Sequence, residues 1–154
     1  MVARIQNLYL FLAGLLALLS MFFPFWSFSA GNIFLISDVG SSTIPDLVFS
    51  VATHAGLIFS PLTALISVTA IFFFKNRALQ SKLILLAILL FLGDLFSGLT
   101  AAHVMNQHLQ TIGAAITHKP EAGFFILLPE PVLLLLALKG VKTDDKIANA
   151  YKRL

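Results

Sequence analysis

The sequence predicts an all-α integral membrane protein, a four-helix bundle with both termini in the cytoplasm, and three observations carry that reading. Of 154 residues 58% are hydrophobic and only 11% are charged, against roughly a quarter charged in an ordinary soluble domain. A mean hydropathy of +0.94 leaves too little polar surface to cover a water-soluble body of this size, so much of the apolar surface faces lipid. Nine of the ten Lys and Arg residues fall in segments that alternating spans would collect on one side, as the positive-inside rule requires.

Four continuous apolar windows approach the ~20 residues a helix needs to cross ~30 Å of hydrocarbon. They run over about residues 8–28, 55–74, 83–104 and 123–138, in one transmembrane domain, with a basic tail over 139–154. Because the runs are continuously apolar and do not alternate, they exclude a β-barrel. Span 1 reads as a retained helix and not as a signal peptide. A cleaved apolar region is shorter and lacks a block such as Phe22-Phe23-Pro24-Phe25-Trp26, which suits an aromatic belt at the interface.

Arg4 precedes span 1, Lys75, Arg77 and Lys82 separate spans 2 and 3, and Lys139, Lys142, Lys146, Lys152 and Arg153 follow span 4, leaving only Lys119 elsewhere. This distribution puts both termini and the middle loop inside a bacterial cytoplasmic membrane and the two longer loops outside. The five bases of the tail are expected to meet lipid phosphates. The net charge of +3 therefore records insertion and anionic lipid, and nucleic acid is not an expected partner.

Within the first outer loop, Asn32 to Ser37 is a short β-prone run followed by turn-forming Asp38, Gly40, Ser41 and Ser42, compatible with a small extracytoplasmic β-hairpin. Leu47 to Thr53 can prolong helix 2 outward. After span 4, Thr143 or Asp144 is placed to cap a short amphipathic helix with Ile147, Tyr151 and Leu154 on one face.

Ala52, Gly56, Ser60 and Ala64 form a row of small residues on one face of span 2, as close helix packing in lipid requires. Another helix of the same bundle is the expected occupant. A second membrane protein, or a second copy of this chain, is the other.

Two acids interrupt the apolar windows. Asp94 lies at the centre of span 3, where an ionised carboxylate costs about 3 kcal/mol on insertion scales. Glu130 stands between Pro129 and Pro131, whose missing donors predict a kink or break there. At 1.5 Å per residue, Asp94 is about 18 Å from Lys82 and Glu130 about 13 Å from Lys139, so both carboxyls share a similar depth. One reading makes them a proton relay or cation site at a discontinuous helix. The other keeps each protonated and hydrogen-bonded to a hydroxyl such as Ser60, Thr63, Ser67 or Thr100, or aimed at a partner.

His54, His103, His108 and His118 all fall on the outer side, but no pair has i, i+3 or i+4 spacing, so interfacial histidines are preferred to a haem or metal site. With zero Cys, thiolate chemistry and disulfides are excluded. No phosphate loop, His-Glu-x-x-His or Gly-x-Ser-x-Gly is present, and the chain reads as a non-enzyme without a cofactor.

Arg4-Ile5-Gln6-Asn7-Leu8-Tyr9-Leu10, the Phe22-to-Ser27 block, Lys142 to Ile147 and Lys152-Arg153-Leu154 resemble a family of small four-span bacterial inner-membrane proteins known only as a domain of unknown function. Lys152 departs from the Asp expected there, and Pro129-Glu130-Pro131 is not a feature of that pattern. The resemblance implies an architecture and no activity. Taken together, the expected role is a small structural or accessory subunit of a larger inner-membrane assembly. The alternatives are a proton- or ion-coupled carrier using Asp94 and Glu130, and a haem- or metal-binding subunit using the outer histidines.

Overall fold

The computed structural model describes residues 2–112 and 116–151, except for the side chains of residues 2–4, 149 and 151. Lys152, Arg153 and Leu154 of the expected lipid-facing tail lie outside the described residues, as do the side chains of Arg4 and Tyr151. The order is α1 (Val2–Ser20), β1 (Trp26–Ala30), β2 (Asn32–Ile36), α2 (Leu47–Phe72), α3 (Arg77–Thr111), β3 (Thr117–Pro120), α4 (Ala122–Leu127) and α5 (Glu130–Tyr151).

Three helical stretches are long and apolar enough to cross a membrane: Leu47–Phe72, Arg77–Thr111 and, across the α4–α5 joint, Ala122–Ala148. The apolar part of α1, Ile5–Ser20, is shorter. The first expected span therefore needs correction. Its helix stops at Ser20, because Pro24 lacks a backbone donor and disfavours helical geometry in the residue before it. The aromatic block beyond turns into a strand instead of ending a helix.

Helices α1, α2, α3 and α5 pack in a ring, α1 against α2 and α5, α3 against α2 and α5. Gln6 Nε2 donates to Asp144 Oδ2 (2.8 Å) and Arg77 Nη1 to the Asp144 carbonyl (2.9 Å). These bonds gather the starts of α1 and α3 and the far part of α5 at one end. Helix α2 opens on Asp46, whose side chain accepts from Phe49 N, and α3 opens on Asn76, which accepts from Leu79 N, each satisfying a donor that the first turn leaves over.

At the other end the three strands form an antiparallel sheet in the order β2-β1-β3. Asn32–Ile36 does form a strand, but the hairpin turns at Gly31, where φ is +80°, a conformation that glycine adopts without steric penalty. The partner of β2 is thus the upstream segment Trp26–Ala30, while residues 38–42 fold back toward the helices. Ser42 closes that fold by bonding both backbone groups of Leu35.

Over the described residues the tail expected to form a separate amphipathic helix after span 4 belongs to α5, which continues unbroken through Thr143 and Asp144. Thr143 Oγ1 donates back to the Lys139 carbonyl and the Asp144 side chain accepts from Gln6, so neither caps a new helix. The break expected at the Pro129-Glu130-Pro131 triplet is present, with α4 ending at Leu127 and α5 starting at Glu130.

Two apolar clusters fill the interior. One, including Leu10, Ile84, Leu134 and Val141, occupies the Asp144 end. The other, including Phe28, Phe49, Ala101 and Met105, joins the sheet to α2 and α3. Between them lie the buried polar residues Ser20 at the end of α1, Ser60 in α2, Asp94 and Ser97 in α3, and Glu130 at the start of α5.

Candidate functional site

Asp94 comes from the middle of α3 and is 8% exposed; Ser60, from the facing side of α2, is 1% exposed. The Ser60 hydroxyl is 2.8 Å from Asp94 Oδ2 and 2.7 Å from Asp38 Oδ2. Asp38, from the connection between β2 and α2, descends alongside α2 to reach it. A hydroxyl has one proton and donates to only one acceptor at a time. The second short oxygen–oxygen contact therefore needs a proton supplied by a carboxyl, and the Asp38–Ser60–Asp94 triad holds together with at least one of its acids protonated.

Gly56 makes room for this. A Cβ there would stand 2.6 Å from Asp38 Oδ1 and 3.4 Å from Asp94 Oδ1. Burial pushes the Asp38 carboxyl above its ordinary value, against the opposing hydrogen bond from Ser60.

Glu130, at the start of α5, is 1% exposed, and neither carboxyl oxygen has a hydrogen-bond partner. It lies within electrostatic reach of Asp94. Among the described residues no basic side chain pairs with Asp38, Asp94 or Glu130. A cavity of about 10 Å³ touches Asp38 and Asp94, walled by Ser20, Phe25 and Leu127. That is about the space of one water molecule. On its outer side Asp38 also lines an open depression of about 220 Å³ with Thr43, Thr53, His54 and Leu57.

Asp94 and Glu130 thus share one neighbourhood. Of the four hydroxyls considered as partners, only Ser60 meets a carboxyl. Thr63 and Thr100 donate back to Phe59 and Phe96 carbonyls, and Ser67 Oγ is buried without a partner. Asp38 was missed, because its place in a Gly-Ser-Ser turn reads as a solvated loop. The small-residue row faces inward: Ala52, Gly56, Ser60 and Ala64 are all buried. Ala64 presents its carbonyl to Gly14 of α1, 3.3 Å from where a Cβ would stand. Lys139, Lys142 and Lys146 are exposed along α5.

The histidines are dispersed. His54 is exposed at the Asp38 depression, its Nδ1 2.6 Å from the Ser50 carbonyl. His108 lies in the last turn of α3. His103 and His118 share a shallow depression of about 210 Å³ with Trp26. Among the described residues no three His, Asp or Glu side chains converge as metal ligands would.

A family model described as Domain of unknown function (DUF4293) matches residues 2–154. No curated protein and no solved structure matches the chain.

Proposed function

We propose, for a chain that belongs to the DUF4293 family, a small accessory subunit of a larger bacterial inner-membrane assembly, to which it contributes a proton-binding carboxyl centre. The observation that carries this is Ser60 held between the Asp38 and Asp94 carboxyls, with the unpartnered Glu130 beside them. Three acids in a poorly hydrated interior with no counter-ion among the described residues repel one another when ionised, so they hold protons and exchange them as conditions change.

The orientation is that of the positive-inside rule, with the Asp144 end in the cytoplasm and the sheet outside. The carboxyl layer meets an apolar layer at the Asp144 end, where Leu10, Ile84 and Leu134 are 0% exposed. That layer favours a subunit that lends its site to partners over a carrier with a through-path of its own. Lipid and a second membrane protein are its partners; catalysis of a covalent reaction is not its role.

Gentle detergent extraction should retain a stoichiometric membrane partner. Asp94→Asn with Glu130→Gln should reproduce the deletion phenotype at unchanged protein level. A clean monomer in several detergents, together with wild-type behaviour of the double variant, overturns the proposal.

A further inference from the structure

Asp38 is the carboxyl that touches both compartments: the open depression shared with His54 and the small cavity shared with Asp94. We infer that the buried site is loaded with protons from the strand-bearing side alone, with Asp38 receiving each proton and Ser60 relaying it to Asp94. This rests on the proton-binding reading above and adds the residue, the direction and the route.

The transfer balances without any other reactant. A hydrated proton in the depression bonds to an Asp38 carboxylate oxygen. Asp38 then donates to Ser60 Oγ while Ser60 gives its own hydroxyl proton to Asp94 Oδ2. One O–H bond breaks at Asp38 and one forms at Ser60; the original Ser60 O–H breaks and one forms at Asp94. Ser60 ends as a neutral hydroxyl, and one proton has moved inward. Both oxygen–oxygen steps, 2.7 and 2.8 Å, are at hydrogen-bonding distance.

An acidic cluster alone would not establish a site. The independent observation is Glu130, almost fully buried with both oxygens unpartnered and within electrostatic reach of the Asp94 carboxyl. The titratable groups around the site are Asp38 from the β2–α2 connection, His54 from α2, Asp94 from α3 and Glu130 from α5. To the cavity wall α1 brings Ser20 and α4 brings Leu127, neither of which titrates. Toward the other end lies the apolar cluster around Leu10, Ile84 and Leu134, and the polar side chains buried beside it, Asn7, Ser67 and Gln80, do not titrate.

The test uses the full chain in liposomes, with pH stepped on one face at a time and infrared absorption of protonated carboxyls as the readout. Because the chain has zero Cys, Thr43→Cys and a membrane-impermeant thiol reagent report which face is outward. An acid step on the strand side should raise the carboxyl band; the same step on the Asp144 side should not. Asp38→Asn and Ser60→Ala should each slow loading of the remaining acids by about a hundredfold, the usual worth of a positioned proton-transfer group. Equal loading from both faces, or wild-type rates in both variants, overturns the route. A proton-dependent band that Asp94→Asn and Glu130→Gln leave intact would sink the proton-binding reading itself.

Discussion

Two glycines show how single atoms hold the site in place, and they differ in what their neighbours can yield. A Cβ at Gly123 would meet the Phe23 and Pro24 carbonyls at 2.5 and 2.8 Å, where Gly123 N also donates to Pro24 O. Backbone cannot rotate away, so Gly123→Ala should lower stability by about 3 kcal/mol, the upper part of the usual overpacking range. At Gly56 the obstacle is the end of the Asp38 side chain. Gly56→Ala should cost less, about 1 kcal/mol, while ejecting Asp38 from Ser60. Thermal melts in one detergent rank the two, and the reverse order would contradict this packing.

Asp38 has a raised folded-state value, so its contribution to stability is present below the ordinary carboxylate range and is lost as pH rises through the raised value. The melting temperature should therefore fall as pH is taken from below the ordinary carboxylate range up through the raised value. Asp38→Asn, which keeps a hydrogen-bonding side chain of the same size, should flatten that slope. An unchanged slope would remove Asp38 from the titrating set.

At the level of elements, the sheet is clasped by Glu121, which accepts from Ser27 of β1 (2.8 Å) and pairs with Lys119 of β3 (3.1 Å). Those contacts, the Ser27 bond first, hold the Glu121 carboxyl below its ordinary value. The clasp is thus intact above the usual carboxylate range and released as pH falls through the lowered value. Trp26, the single Trp of the chain, packs against His118 of β3 and Phe124 of α4. Glu121→Ala should shift its fluorescence to the red at neutral pH, and strong acid should do the same to the wild type. An emission maximum indifferent to both would mean that β3 is held by other contacts.

The joint between α4 and α5 belongs to the same scale. The triplet Pro129-Glu130-Pro131 announces a break through its missing donors, and the chain breaks there. The hairpin was only half legible. A short β-prone run from Asn32 to Ser37 marked β2, but its partner lay inside a stretch whose hydrophobicity alone reads as helix. Pairing of β1 with both β2 and β3 outweighed that local reading.

Over the described residues the interior is layered: largely apolar at the Asp144 end, where Gln6 and Gln80 are buried among the apolar side chains, polar in the middle, and apolar again beneath the sheet. Leu134 is 0% exposed in the first of these layers. Leu134→Ala should destabilise by about 3 kcal/mol, within the range for a buried Leu cut to Ala. It should also speed amide exchange across the neighbouring turns of α1 and α3. Exchange confined to α5 would mean that the layer does not act as one unit.

The amino-acid sequence by itself determined that this chain carries membrane-length apolar helices, that two acids interrupt them, and where proline breaks the last one. Those properties follow from composition and from backbone donors, which are local. Only the tertiary structure decided that Asp38, 56 positions before Asp94, shares a hydroxyl with it. That contact depends on the β2–α2 connection folding into a space left by a glycine, and no periodicity along the chain encodes where a loop comes to rest.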